Sequence, residues 1–310
     1  MPGFSILPSD EHLLRSSIIT TPSRHPKWLR KKVPSQPILK EMELLLDELS
    51  LHTVCQSAQC PNIGECFSRQ TATFLIMGDV CTRNCTYCAI TKGKGSPLNP
   101  NEPYNIARAV GRLNLKHVVI TSVTRDDLPS GGAVHFATTI KVIRRYNPLS
   151  TIEVLIPDFE GSPDSLKTII DSSPEVLNHN VETVPRLYSQ VRPKANYHRS
   201  LNLLRAAKTI NQKILTKSGL MLGMGEEHNE VVAAMEDLYA AQCDFLTIGQ
   251  YLSPSYGHHP VTSYVTPEQF QEYESIGKRM GFRSVTSGPF VRSSFEARET
   301  LDSSYTTLLS

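Results

Sequence analysis

An α/β fold with a parallel sheet is what this sequence predicts, and three observations predict it. Strand-like runs alternate with amphipathic runs over most of the chain. Polar clusters recur at the ends of the strand-like runs, the edge where parallel α/β folds build their sites. The length, 310 residues with 39% hydrophobic and 20% charged content, suits one barrel-sized core or two ordinary domains.

Residues 1 to about 36 are polar and punctuated by Pro2, Pro8, Pro22, Pro26 and Pro34, and read as an irregular arm. Within it, Arg24, Lys27, Arg30, Lys31 and Lys32 form a basic stretch, either a solvated face or a docking strip for an acidic partner. Ile38, Leu39, Met42, Leu45, Leu46 and Leu49 recur at helical spacing and predict a helix that covers part of the main domain.

Six strands are expected, at Thr73–Asp79, His117–Val123, Thr151–Pro157, Glu175–Glu182, Ile214–Gly223 and Phe245–Tyr251. Helices are expected between them at Asn105–Leu113, Ala133–Tyr146, Ser165–Asp171, Ser200–Asn211 and Glu230–Ala241, with another at Pro267–Gly281. Six units suit a partial (β/α)6 barrel of the TIM type with N-terminal and C-terminal extensions; an open doubly wound sheet is the alternative. The expected divisions are an arm and helix over 1–50, a cysteine segment over 51–72, the partial barrel over 73–283 and a C-terminal extension over 284–310.

A formal net charge of +2 is too weak to mark nucleic acid as the main partner. No apolar run approaches the roughly 20 residues that cross a bilayer. No secretory signal is visible; Asp10 and Glu11 argue against a transit peptide, whose alternative rests on Ser16, Ser17, Thr20 and Thr21, and a cytoplasmic location is expected. Nothing in the sequence marks a self-association element, and a monomer is expected. Thiols stay reduced in the cytoplasm, so clustered cysteines there point to metal before disulfides.

Six of the seven cysteines lie between positions 55 and 88. Cys55, Cys60 and Cys66 follow a C-x4-C-x5-C spacing, and Cys81, Cys85 and Cys88 follow C-x3-C-x2-C. Thiolates favour zinc, copper(I) and iron–sulfur clusters. Neither triplet supplies four ligands, although His52 or His117 would complete a zinc quartet, and spacing alone leaves that reading open. The second triplet follows the first strand directly. Three thiolates there would hold three irons of a cubane and leave the fourth open to a small molecule. Tyr87, just before Cys88, occupies the usual aromatic position of the radical S-adenosylmethionine signature.

With the first triplet and Arg292-Ser293-Ser294-Phe295-Glu296-Ala297, the chain resembles lipoyl synthases from about residue 36 to 298. Supporting stretches are Pro61-Asn62-Ile63-Gly64-Glu65-Cys66, Val123-Thr124-Arg125-Asp126-Asp127-Leu128, Asn178-His179-Asn180-Val181-Glu182-Thr183 and Gly249-Gln250-Tyr251-Leu252-Ser253-Pro254. The resemblance implies insertion of two sulfur atoms at carbon 6 and carbon 8 of an octanoyl chain amide-linked to a carrier lysine. It implies two 4Fe-4S clusters and S-adenosylmethionine as cofactors. Cys81, Cys85 and Cys88 would bind the radical-generating cluster. Cys55, Cys60 and Cys66 would bind an auxiliary cluster that is consumed as the sulfur source, with Ser294 as its fourth ligand and Ser293 as the alternative. Two departures stand out: Phe295-Glu296 where the family often has Tyr-His, and Thr124 where it often has aspartate.

For S-adenosylmethionine itself, the expected contacts are Asn180 and Glu182 at the fourth strand end, and Arg192, which reads as a contact either to the methionine carboxylate or to the backbone of the carrier lysine; Gly131-Gly132 offers either close backbone approach or only a turn before a helix. The implied partners are octanoylated lipoyl-carrier domains, such as 2-oxoacid dehydrogenase subunits and the glycine cleavage H protein, and an electron donor such as ferredoxin or flavodoxin. His258 and His259 read as hydrogen-bonded loop structure, Cys243 as a small buried hydrophobe and Gly223-x-Gly225 as a turn. Three readings compete: a methylthiotransferase acting on RNA, which would need an RNA-binding extension; a ferredoxin-like electron carrier, which would need no barrel; and a zinc-binding scaffold.

Overall fold

The computed structural model describes residues 26–30, 36–68 and 73–306. Most of the expected arm, including Arg24, Lys31 and Lys32 of the basic stretch, lies outside the described residues. In chain order the elements are α1 (Gln36–Glu48), β1 (His52–Thr53), α2 (Val54–Ser57), α3 (Ile63–Ser68), β2 (Thr73–Ile76), β3 (Val80–Cys81), β4 (Thr91–Lys92), α4 (Glu102–Arg112) and β5 (His117–Ser122). There follow α5 (Ala133–Tyr146), β6 (Thr151–Leu155), α6 (Pro163–Asp171), β7 (Val176–Asn178), α7 (Tyr188–Val191), α8 (Tyr197–Ile210), β8 (Leu215–Leu222), α9 (His228–Ala240), β9 (Phe245–Gln250), α10 (Pro267–Met280), β10 (Ser284–Gly288) and α11 (Ala297–Thr306).

The main sheet runs β1-β2-β5-β6-β7-β8-β9-β10. Every pairing from β2 to β10 is parallel, and β1 lies antiparallel on the outer edge of β2. The sheet is therefore an open arc with β1 and β10 at its ends. All six expected strands are present, and β10 adds a seventh parallel one. It escaped the sequence reading because only Val285 of its five residues is buried, so no apolar run marks it.

Burial on both faces explains the apolar strands: β2 and β9 are buried at every position. The helices pack one stripe each against them. Along α5, Ala133, Phe136, Ala137, Ile140 and Ile143 are buried at helical spacing. Caps fix the ends. Ser162 accepts from the Ser165 N–H and Pro163 takes the first turn of α6, so that helix starts two residues earlier than expected. Thr266 and Gln269 form a reciprocal capping box on α10, which ends at Gly281 with φ 103°.

At the N-terminal ends of the strands, Leu301 of α11 packs against Val176 and Phe245, the first residues of β7 and β9. Nearby, Lys217 Nζ donates to both Glu153 carboxylate oxygens at 3.1 and 3.2 Å, and Asn178 Nδ2 donates to the same carboxylate at 3.0 Å. His117 Nε2 lies 3.7 Å from that carboxylate. The opposite, C-terminal edge is thus left for the loops that carry the cysteines. Among the described residues no helix is long and apolar enough to cross a membrane.

Candidate active site

The loop after β2 begins with Met77 and Gly78 in the left-handed region, at φ 67° and 87°, which turns the chain sharply back over the strand ends. β3 and β4 then pair in parallel and close a loop that holds Cys85 and Cys88 and starts at Cys81. The Cys88 N–H donates to Cys85 O at 3.3 Å, and the Gly93 N–H donates to Cys81 O at 2.9 Å. Three neighbours pin this loop: Thr82 N donates to Thr124 O at 3.0 Å, Thr86 N to Val191 O at 2.9 Å, and His259 N to Thr86 O at 2.9 Å.

Arg83 supplies a charged anchor. Its guanidinium forks onto Asp126 at 2.8 and 2.9 Å and reaches Asp158 at 2.5 Å. Arg199 approaches the other Asp158 oxygen at 3.2 Å. Burial alone would raise the Asp158 pKa, but the hydrogen bond and charge of Arg83 outweigh it and hold the carboxyl at about 2.

The first triplet reaches the same edge from outside the sheet. β1 pairs Thr53 with Phe74, and Thr53 caps the one-turn helix α2 that carries Cys55. The Cys60 N–H donates to Cys55 O at 3.0 Å, and the Cys66 N–H donates to Asn62 O at 2.9 Å. Asn62 Nδ2 in turn donates to Phe290 O at 2.7 Å, which ties the triplet to the segment after β10.

That C-terminal segment crosses β9 at Gly249. A Cβ on Gly249 would lie 2.0 Å from Val291 O, so only glycine admits the crossing. The Phe295 N–H donates to Arg292 O at 2.9 Å in a tight turn. Ser293 and Ser294 point to different partners: Asn180 Nδ2 donates to Ser293 Oγ at 2.5 Å, and Thr73 Oγ1 donates to Ser294 Oγ at 2.7 Å. A second glycine, Gly219 on β8, leaves room for Asn180, whose Oδ1 would lie 2.9 Å from a Cβ there.

All six clustered cysteines, with Arg292, Ser293, Ser294, Asn180, Glu182 and Arg192, line one cavity of about 450 Å³. None of the seven cysteines is paired in a disulfide. Burial pushes the Cys55 and Cys88 thiols up to about 12 and raises Cys85 as well. Glu182 is also raised by burial, against the opposing pull of Arg192. Arg192 spends one nitrogen on Asn180 O, Val181 O and the Tyr188 hydroxyl, at 3.0, 3.0 and 3.1 Å.

Three buried polar atoms on the cavity wall, Ser122 Oγ, Asn180 Oδ1 and Arg192 Nε, have no hydrogen-bond partner among the described residues. Buried polar atoms ordinarily find one, so this wall is suited to a polar ligand. The donor set suits iron–sulfur clusters: two groups of three thiols, with carboxylate and guanidinium beside them. His52 and His117, the histidines a zinc quartet would enlist, do not line the cavity. His52 is exposed at the sheet edge, and His117 sits beside Glu153 at the opposite end of the strands.

Other expectations resolve individually. Gly131 borders a separate depression, and Gly132 packs on Met77, whose Sδ would be 2.2 Å from a Cβ; neither lines the main cavity. His259 Nε2 lies 3.0 Å from Met224 O, and His258 Nδ1 lies 2.8 Å from Ser255 Oγ, both ordinary loop contacts. Cys243 is buried, and burial pushes its thiol pKa upward. The sequence reading missed Thr73, Asn62, Arg83, Asp158 and Met221 at the site. Two of these carried a signal: Asn62, inside the Pro61–Cys66 stretch, and Arg83, as the one charged residue inside the second cysteine triplet.

Residues 75–238 match the family model of the Radical SAM superfamily. A lipoyl synthase of Caldanaerobacter subterraneus subsp. tengcongensis is 57% identical over 274 residues, covering 88% of this chain and 96% of that protein. A lipoyl synthase of Caldicellulosiruptor bescii is 56% identical over 279 residues, covering 90% and 96%. Among solved structures, methylornithine synthase PylB matches with a TM-score of 0.54 at 13% identity over 78% of this chain and 76% of that one. Streptococcus suis SuiB bound to S-adenosylmethionine matches at 0.55 and 10% identity, over 81% and 60%. These two likenesses concern the fold, a mostly parallel sheet with helices packed against it. With the two triplets and the Arg292–Ser294 segment facing one cavity, the chain belongs to the lipoyl synthase family of the radical SAM superfamily.

Proposed function

We propose that this chain is a two-cluster lipoyl synthase whose six cysteines serve one shared cavity. Its reaction inserts sulfur at carbon 6 and carbon 8 of an octanoyl group carried on a lysine of a lipoyl-carrier protein. The observation that carries this reading is the meeting of Cys55, Cys60 and Cys66 with Cys81, Cys85 and Cys88 around a single space. A ferredoxin-like carrier has no need of that arrangement.

When bound, the cofactors supply a carbon radical able to break unactivated C–H bonds, and sulfide for the new C–S bonds. The chain's own residues hold and shield them. In this proposal Cys81, Cys85 and Cys88 hold the radical-generating cluster, and residues 73–283 together with β10, expected from the sequence in the C-terminal extension, form its barrel. Cys55, Cys60 and Cys66, in the 51–72 segment, hold the auxiliary cluster with Ser294. Ser294 is favoured over Ser293 because its hydroxyl is bonded to Thr73, on the Cys55 side, whereas Ser293 is bonded to Asn180. Asn180, Glu182 and Arg192 orient S-adenosylmethionine, with Asn180 Oδ1 and Arg192 Nε as the groups ready to accept and donate. Buried Leu75, Val123 and Tyr251 line the same space and help exclude water from it.

The proposed carriers are 2-oxoacid dehydrogenase subunits and the glycine cleavage H protein, with a ferredoxin or flavodoxin as electron donor. The proposed setting is the cytoplasm, where thiols stay reduced. A monomer suffices, since every group invoked comes from one chain. The test is anaerobic reconstitution with iron and sulfide, then S-adenosylmethionine, reductant and an octanoyl-lysine peptide. A doubly thiolated octanoyl product is expected, and Cys55→Ala should still release 5′-deoxyadenosine while making no thiolated product. Release of 5′-deoxyadenosine without sulfur insertion by the unmodified chain would overturn the reading.

A further inference from the structure

Thr73 opens β2 at the point where three parts of the chain meet, and it is 4% exposed. The β1–β2 pairing sets Thr53 opposite Phe74, so α2 starts beside Thr73 and carries Cys55 over it. From the other side, the Asn62 amide holds Phe290 and draws the Arg292–Phe295 turn onto the same place. Two groups of Thr73 then face two proposed cluster ligands. Its backbone N–H is directed at the Cys55 sulfur. Its hydroxyl donates to Ser294 Oγ at 2.7 Å.

We infer that Thr73 is a positioning residue for the auxiliary cluster, holding Ser294 as an oxygen ligand beside Cys55. This deepens the proposed function and depends on its assignment of Cys55 and Ser294 as ligands. The argument is one of hydrogen-bond strength and direction. A serine oxygen bound to iron carries negative charge, and a hydrogen bond to a charged acceptor is roughly twice as strong as one to a neutral hydroxyl. A donor already aimed at Ser294 Oγ therefore favours the bound form over the free one. It also occupies one side of that oxygen and leaves the cavity side for the metal. Because the same residue offers its N–H to Cys55, sulfur and oxygen are set from one rigid strand end, where a loop residue would allow drift.

A purely structural role for this bond makes a different prediction, and the experiment separates the two. Full-length holoenzyme is challenged with an iron chelator, and iron loss from the auxiliary cluster is followed by Mössbauer spectroscopy. Thr73→Val keeps shape and burial but removes the donor, and should lose that iron about 10-fold faster or more. Thr73→Ser should behave like the unmodified chain. In a Ser294→Cys background the ligand is a thiolate, a poorer hydrogen-bond acceptor, and Thr73→Val should then change the rate by less than about 2-fold. Equal acceleration in both backgrounds, or none in either, overturns the inference. If Thr73→Val fails to fold, Thr73→Cys retains a weak donor and should give an intermediate rate; a rate equal to that of the unmodified chain overturns the inference as well. If Ser294→Ala itself loses iron no faster than the unmodified chain, the ligand assignment falls and the inference with it. If Ser294→Ala accelerates loss and Thr73→Val does not, only the inference falls.

Discussion

Asn180 and Ser293 stand 113 residues apart and share a hydrogen bond of 2.5 Å, donated by the Asn180 amide. The same amide donates to Glu182 at 3.0 Å, so one side chain joins the loop after β7 to the C-terminal turn. Asn180→Ala removes both contacts and the free Oδ1. S-adenosylmethionine affinity should fall about 10-fold. Ser293→Ala, which leaves Asn180 in position, should cost less than half of that in free energy. Equilibrium dialysis on the reconstituted protein measures both.

Arg83 is the clamp of the second cysteine loop, and breaking it leaves Asp158 short of its main partner. Arg83→Met should destabilise the fold by about 3–5 kcal/mol, the usual penalty for stranding a buried charge. Replacing Asp158 by leucine in the same chain should recover part of the loss. Urea unfolding of the single and double variants gives the comparison.

Glu153 and Lys217 form a similar pair at the far end of the strands, with side chains 1% and 0% exposed. Lys217→Met should also cost about 3–5 kcal/mol, and Lys217→Met with Glu153→Gln should cost much less. Both residues lie outside the cavity, so cleavage of S-adenosylmethionine per folded, cluster-loaded molecule should stay unchanged.

Acid should weaken the fold in two steps. Burial holds the His179 imidazole down at about 4, below its ordinary 6.5. Between those values the unfolded chain binds a proton that the folded chain refuses, so stability falls as pH drops through that window. For Glu153 and Asp158 burial acts upward, but Lys217 and Arg83 prevail and hold both near 2. Their contribution is complete above the ordinary carboxylate range and is lost as pH falls from there towards 2. Melting temperature against pH should therefore decline in two stages, and His179→Gln should flatten only the upper one.

Much of the barrel was legible because parallel strands buried on both faces leave apolar runs, as in Phe245-Leu246-Thr247-Ile248. Helix boundaries were legible where caps are local: Ala133–Tyr146 matches its expected limits, and Pro267–Met280 misses by one residue. β10 was not legible, since Ser284, Thr286 and Ser287 keep part of their surface exposed and it needs β9 to define it. The cysteines announced themselves by spacing. Thr73 and Asn62 did not, because their roles arise from partners 221 and 228 residues away, a relation no local pattern encodes. Gly131-Gly132 has the turn before α5 that its sequence allows, and the atoms nearest a Cβ there belong to Phe159 and Met77.

β1 is only two residues long and pairs on a single side. So small an edge strand is a weak fastening and opens far more readily than the strands behind it. The segment carrying Cys55, Cys60 and Cys66 joins the sheet through that strand and is tied a second time by Asn62 to Phe290, whereas the loop of Cys81, Cys85 and Cys88 is clamped by the buried Arg83. Local opening should therefore reach the first triplet before the second, with the parallel strands still folded behind it.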